Sequence, residues 1–573
     1  MGTMASRVLG LLRVALFALI VQSSVAADAF NQANNLPTNI YIVIATGVVT
    51  GILVPQITKA MKREDDGEDF INRLLTLSIL VMAVVTLVCT IATPLLINLI
   101  VSQKANLAVP GYLHLGILLG YWCMPQIFFY GLYAVLGQVL NARGHFAAFG
   151  LAPALANVVQ IAGLIGFWIL WGYQPDPAQW STAMIVLLGG STTLGIAVQG
   201  LCLIWPLYRD GFRFHPRFGW RGYGFGEVTK MTGWTFAAVL ISFLQGLVVG
   251  WAATAMRAGV DDYAGVSTQQ YAYQLFTLPH SLVTVSIVTA LFPAMAKAWT
   301  DRDNGQMKSL LRQGLTAPSL LIIPASAVMI GLGLPMIRLL IPSLTQVEAN
   351  NVWWVLAAYN LGMWMFGVTT LKQRYYYAKQ DGWTNFWLTI VPTVVQLLIA
   401  LFALWFLPGR WGVFSIGIGN TVGCFVASFI FLWLVRQELG PFGMRHIAIV
   451  WAKATAASAI AAFLAWDFVQ VMGRWSQSRL FAVAELAVGG LFFIVVFIMA
   501  SAFMRITEVR DFLRQAIARI ERLPAPPRRK QSRLPDAPFV YFPLDEPIAS
   551  NTLLSSDLPP VDNDVPPQYW QLR

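Results

Sequence analysis

Two arginines stand six residues apart near the start of the chain, in SRVLGLLRVALFALIVQSSVAADAF at residues 6–30, and Asp28 lies toward the end of the same stretch. On a helix Arg13 sits about 9 Å deeper than Arg7 and about 120° around the axis, with Gly10 between them in angle. Guanidinium groups hold phosphate through bidentate, charge-assisted hydrogen bonds, so such a pair suits a diphosphate. Gly10 forms a notch that admits either a ligand or another helix. The neighbours are apolar, and an arginine at the middle of a membrane helix costs at least about 2.5 kcal/mol unless it is paired, snorkels or faces water. Arg7 is near enough to the end of the run to snorkel, and Arg13 is not. Asp28 admits several readings: partner of a distant cation, orienting group of a gate, site for a coupling cation, or cap of a short outer loop.

The elements that carry these groups follow from composition. Of 573 residues, 57% are hydrophobic and 11% charged, against about a quarter charged in soluble domains. Windows of about 20 apolar residues, the length that crosses a bilayer core, recur along nearly everything before residue 505. The expectation is an all-α polytopic membrane protein of about fourteen transmembrane helices, the first two over 6–30 and 36–60 and the tenth over 352–378. Lys and Arg favour cytoplasmic loops. With the N-terminus inside, the inner loops carry nineteen basic residues and the outer loops six, which places both termini in the cytoplasm. The net charge of +11 follows from this asymmetry and requires no nucleic acid. The loop RDGFRFHPRFGWRGYGFG at 209–226 reads as an anchor for anionic headgroups. A cleaved leader ending at SVA before Ala27 is the rival for the first segment, but Arg13 interrupts its apolar run and cleavage would reverse the loop asymmetry. Cys89, Cys123, Cys202 and Cys424 fall in apolar runs without paired spacing, as packing residues do.

The chain also repeats itself. Residues 128–160 align without gaps over 364–396, pairing Gly131 with Gly367, Arg143 with Lys379 and Gln160 with Gln396, and LVPQITKA at 53–60 aligns over LFPAMAKA at 291–298. The offset equals six spans, so both copies share one orientation and form two six-helix lobes around a central cavity, with two extra helices. The expected division is a lobe at 1–207, a basic connector at 208–226, a second lobe at 227–436, two additional helices at 447–505, an amphipathic and polybasic segment at 506–533, and an acidic, Pro-rich tail at 534–573. Pro37, Pro55, Pro279 and Pro293 are expected to kink helices that bend around the cavity.

GTMASRVLGLLR, followed by AADAFNQANNLP and TGVVTGILVPQITKAMK, resembles the opening of the MurJ/MviN family of peptidoglycan lipid II flippases. GQVLNARGHFAAFGLAPALANVVQ and LPHSLVTVSIVTALFPAMAK also resemble family segments. The resemblance implies a multidrug/oligosaccharidyl-lipid/polysaccharide exporter fold in the bacterial cytoplasmic membrane, whose two additional helices form a groove for a polyprenyl tail. It implies alternating access that carries lipid II from the inner to the outer leaflet. It carries family roles onto Ser6, Arg7, Arg13, Asp28 and Asn157. The sequence departs from the family at Val14, Tyr41, Gln274 and Thr277, so two usual cavity cations are missing. Either neutral donors such as Asn39, Tyr41 and Gln274 assist Arg7 and Arg13, or basic residues such as Lys230, Lys372 and Arg374 lean inward. By loop position, Lys372 and Arg374 read first as the cytoplasmic end of a helix.

No HExxH, GxSxG or P-loop is present, so neither an enzyme nor a bound cofactor or metal is expected, and energy would come from an ion gradient, the membrane potential or removal of product. Two other functions fit the same pattern: an exporter of another lipid-linked oligosaccharide or a drug/cation antiporter of this fold, and a non-transporting scaffold that gathers wall-synthesis or regulatory proteins through the tail.

Overall fold

Among the described residues the long apolar runs are helical, because a backbone in lipid can satisfy its polar groups only internally. A computed structural model describes residues 2–45, 68–143, 145–219, 230–257, 260, 264–407, 409–473, 479–506 and 509. It is 87% helix with no strand among the described residues. The first group comprises α1 (Gly2–Val21), α2 (Val25–Ala45), α3 (Glu68–Ile91), α4 (Tyr112–Cys123), α5 (Gln126–Ala142), α6 (Phe146–Trp171) and α7 (Thr182–Leu201). The second comprises α8 (Lys230–Arg257), α9 (Val266–Pro279), α10 (Val285–Thr300), α11 (Asn304–Gly331), α12 (Gln346–Asn360), α13 (Met363–Ala378), α14 (Gly382–Phe406) and α15 (Gly412–Leu439). Helices α16 (Met444–Gly473) and α17 (Arg479–Phe503) follow. Among the described residues, eleven helices are long and apolar enough to cross a membrane by length and composition. Of the fourteen expected, those at 6–30, 36–60 and 352–378 fall on α1, α2 and the α12–α13 pair, outside these eleven.

The two groups pack in the same pattern. Helix α1 lies against α6, α6 against α7, and α2 against α4; in the second group α8 lies against α14, α14 against α15, and α9 against α12. Helices α16 and α17 pair with each other, with α16 on α11. Aligned residues of the repeat also make matching contacts. Arg143 pairs with Asp210 at 3.0 Å, and its counterpart Lys379 pairs with Glu438. Each ties the end of one hairpin to the last part of its group, Asp210 just after the short helix Ile204–Arg209 and Glu438 in the last turn of α15.

Caps fix the helix starts. Ser181, Asp303 and Asp381 accept from the amides of Met184, Gln306 and Thr384, and Thr345 and Glu348 form a capping box at the start of α12.

The first boundary differs from expectation. The chain turns at Gln22–Ser24, where Gln22 takes a positive φ of 51°, so Asp28 lies in the first turn of α2 and not at the end of the first span. Residues 31–35, NQANN, fall between the first two expected spans; they are helical within α2, and Asn31, Asn34 and Asn35 line an internal chamber. Helices α2 and α10 continue through Pro37 and Pro293. At Pro279 the regular helix ends and a π-helical turn, His280–Thr284, takes over before α10. Pro55, the 53–60 copy of the repeat, residues 220–226 of the basic loop, nearly all of the amphipathic and polybasic segment, and the tail lie outside the described residues.

Candidate functional site

At the end of the bundle that holds the α1–α2 turn, the two groups are clasped. The Asp28 carboxylate accepts from Arg257 Nη1 at 3.0 Å and from the Ser267 amide and hydroxyl, both at 2.6 Å. All three residues are buried. Gly265 is required beside them, since a Cβ there would fall 2.1 Å from Asp28 Oδ2 and 2.8 Å from Arg257 Nη1. The turn itself is bound from the other side: the Ser23 amide donates to Glu348 at 2.8 Å, Gln22 Nε2 to the Ser343 carbonyl at 2.9 Å, and Tyr271 Oη to the Gln22 carbonyl at 2.8 Å. Of the readings open to Asp28, the contacts select pairing with a distant cation. Arg257 lies 229 positions away and carries no local signal as its partner.

Beneath the clasp lie two adjoining chambers. The smaller, about 180 Å³, is lined by Arg13, Asn31, Asn34, Tyr130 and Gln274 among others. Arg13 Nη1 donates to Gln160 Oε1 at 2.6 Å, and Gln160 Nε2 donates to the Thr192 carbonyl at 3.0 Å. Arg13 is therefore inside the bundle, facing a polar chamber, with a neutral partner and no described carboxylate. The Asn31 amide nitrogen is buried without a partner, leaving a donor unused beside it. The larger chamber, about 610 Å³, is lined by Asn39, Gln269, Tyr273, Lys372, Thr389 and Cys424 among others. Asn35 and Gln270 line both, and Asn35 Nδ2 donates to Gln270 Oε1 at 3.2 Å across the boundary.

Lys372 corrects the helix-end reading. It is 4% exposed, lines the larger chamber and donates to Thr389 Oγ1 at 3.2 Å. Its count among the basic residues of an inner loop concealed this; Lys372 lies within α13, ahead of the helix end at Ala378. Arg374 instead sits over the Phe292 ring, 5.6 Å from its centroid; the Lys230 side chain is outside the described residues.

Other expected site residues position the arginines. Asn157 Nδ2 donates to the Ser6 carbonyl at 3.1 Å and hydroxyl at 3.4 Å, holding α1 on α6. Gly10 faces the same asparagine, so its notch admits a helix. Arg7 Nη1 donates to Ser281 Oγ at 2.5 Å, on the π-helical turn. This tie joins the two groups part-way along the Val266–Thr300 span, on the side of the chambers away from Asp28. Tyr41 stacks on Tyr130 at 5.5 Å, one ring removed from the smaller chamber. A separate apolar groove of about 400 Å³ runs between α11, the α12–α13 break and α16, lined by Trp353, Trp364, Ala462, Phe463 and Trp466 among others.

Two matched helix groups, clasped at one end around polar chambers that hold a cation, define a membrane transporter of the exporter class. The family described as lipid II flippase MurJ matches residues 17–485, and the chain belongs to that family. Relatives named probable lipid II flippase MurJ include one from Vibrio cholerae, 25% identical over 82% of this chain and 88% of its own. Another, from Synechocystis, is 24% identical over 89% of this chain and 94% of its own. Among solved structures, a lipid II flippase MurJ in an inward closed conformation shares the fold with a TM-score of 0.66 at 19% identity, covering 88% of this chain and 98% of that one. An inward-facing multidrug resistance transporter of the MATE family, in the MOP superfamily, aligns with a TM-score of 0.56 at 16% identity over 78% of this chain and 96% of that one.

Proposed function

We propose that this protein carries lipid II from the inner to the outer leaflet of the cytoplasmic membrane by alternating access. The observation that supports this most is Arg13: a guanidinium held by a neutral amide inside a polar chamber, between helix groups that can part. A guanidinium held by Gln160 through Nη1 keeps its remaining donors for a diphosphate, gaining charge-assisted hydrogen bonds in a medium of low dielectric. Gln274, Asn31 and the partition amides supply neutral donors around it.

In this reading the end with Arg7 faces the cytoplasm, as do both termini, and the Asp28 clasp closes the outer side. Cargo enters past the Arg7–Ser281 tie, and its headgroup exchanges water for the chamber amides. Release requires the clasp to part, which separates Asp28 from Arg257. A coupling cation that reached Asp28 would have to displace Arg257. The groove between α11 and α16 takes part of the lipid tail, which is apolar and cannot share the chambers.

The test is depletion of the protein followed by measurement of lipid II in each leaflet, with complementation by Arg13→Ala. Inner-leaflet accumulation that the parent corrects and a fully inserted Arg13→Ala does not is the expected result. Wall growth supported by Arg13→Ala would remove the diphosphate role, and normal leaflet distribution with lost recruitment of wall enzymes would favour the scaffold function.

A further inference from the structure

Lys372 is a buried cation without a countercharge. Among the described residues, no Asp or Glu lines its chamber, and Lys372 is in none of the ion pairs. One of its three ammonium protons reaches Thr389 Oγ1; the other polar groups around the chamber, such as Thr393, Gln396 and Asn420, are neutral. A lysine this deep in a helix bundle is disfavoured unless an anion or water answers it.

The repeat shows that the shared fold does not require it. Position 372 aligns with Leu136 at the offset of 236, and Leu136 is buried in the apolar core of the first group. The same helix position thus works with a leucine in one copy, and the second copy has exchanged it for a charge facing a chamber of about 610 Å³. Packing explains Leu136 and leaves Lys372 unexplained.

We infer that Lys372 is a second oxyanion contact for the cargo, in a different chamber from Arg13. Two oxyanions of a lipid-linked glycopeptide have this chemistry: a carboxylate of the peptide and an oxygen of the diphosphate. The larger chamber adjoins the smaller across the Asn35–Gln270 bond, so a headgroup lying in both would meet one cation at each side of that partition. The inference rests on the lipid II reading for its cargo, and its test separates the two.

The experiment measures binding to the purified full chain and to its Lys372→Met, Lys372→Arg and Arg13→Met variants, using lipid II, undecaprenyl diphosphate and undecaprenol as probes. Lys372→Met is expected to weaken lipid II binding about tenfold or more, the loss of a charged hydrogen bond, with Lys372→Arg retaining most of it. If the anion is a peptide carboxylate, undecaprenyl diphosphate binds Lys372→Met as it binds the parent; if it is a phosphate, both affinities fall together. Inorganic pyrophosphate gives a readout free of the cargo assumption: it raises the unfolding temperature of the parent more than that of Lys372→Met. Should Lys372→Met fail to fold, Lys372→Gln replaces it. Unchanged binding of both lipids and an unchanged pyrophosphate response in the variant, with Arg13→Met still impaired, would overturn the inference. A parent that prefers lipid II no more than undecaprenol counts against the lipid II reading, and pyrophosphate then decides Lys372.

Discussion

Gln160 and Gln396, partners in the repeat, make the same pair of bonds in their two helix groups. Each donates to a backbone carbonyl of the helix that closes its group, Thr192 at 3.0 Å and Ile416 at 3.2 Å. Each accepts at 2.6 Å from the helix that opens its group, from Arg13 and from Gln245 respectively. One geometry therefore holds a cation in the first copy and a neutral amide in the second. Gln160→Leu should remove the acceptor that aims Arg13 and lower undecaprenyl diphosphate affinity about tenfold, a charged hydrogen bond being worth about 1.5–3 kcal/mol. Gln396→Leu should affect thermal stability alone. Equal effects of the two on binding would mean that Gln160 does not orient Arg13.

Asp28→Asn should open the outer side. Breaking a buried ion pair by removing one partner costs about 3–5 kcal/mol, largely because the other charge is stranded. Ser23 is 3% exposed under the clasp, so a cysteine placed there in a background without the native thiols should react slowly with an impermeant maleimide in intact cells. In the Asp28→Asn background it should react much faster, and Arg257→Met added to Asp28→Asn should cost less stability than the two single changes together. Unchanged labelling would show that the clasp does not govern outer access.

Gly265→Ala should reproduce Asp28→Asn without removing any charge. A methyl group there cannot coexist with Asp28 and Arg257 at their present positions. Parent-like transport and labelling in Gly265→Ala would show that the pair tolerates displacement.

Ser281→Ala removes the partner of Arg7 and should speed labelling of cysteines placed beside Arg7 on α1 and beside the π-helical turn before α10, with transport reduced by less than Arg13→Ala reduces it. A loss as deep as that of Arg13→Ala would move Arg7 from tie to cargo contact.

Asp210, beyond the end of α7, is held below the usual carboxylate range by hydrogen bonds from His145 and Arg143. A carboxylate with a lowered folded value contributes stability that is complete above its unfolded value, and that contribution is lost as pH falls through the lower one. The site is exposed, so the effect is small. The difference in unfolding temperature between the parent and Asp210→Asn should be constant from pH 6 to 8 and shrink only in acid, below about pH 4. A difference that instead disappeared near neutral pH would show that titration of the Asp210 carboxylate does not carry it.

Much of this was legible in the sequence. Apolar runs located the helices, the offset of 236 located the repeat, and the isolation of Arg13 among apolar residues marked it as interior. Polarity misled at two places for one reason. The first two spans were broken at the polar residues 31–35 and Lys372 was read as a helix end, because sequence patterns do not separate bulk water from an internal chamber. The pairing of Asp28 with Arg257 was out of reach, since nothing local joins positions 229 apart. Tyr41 and Asn157 were read as cargo contacts, and the structure places them one layer behind, supporting a ring and a helix.

The partition between the chambers is one neutral hydrogen bond, Asn35 to Gln270, whereas the clasped end is held by a buried ion pair and several further bonds. Amide side chains can swing aside by rotamer exchange on the nanosecond scale, while a rigid-body parting of helix groups takes microseconds or longer. Movement between the two rooms should thus be quick and reversible, and the pace of a full transport cycle should be set at the exit.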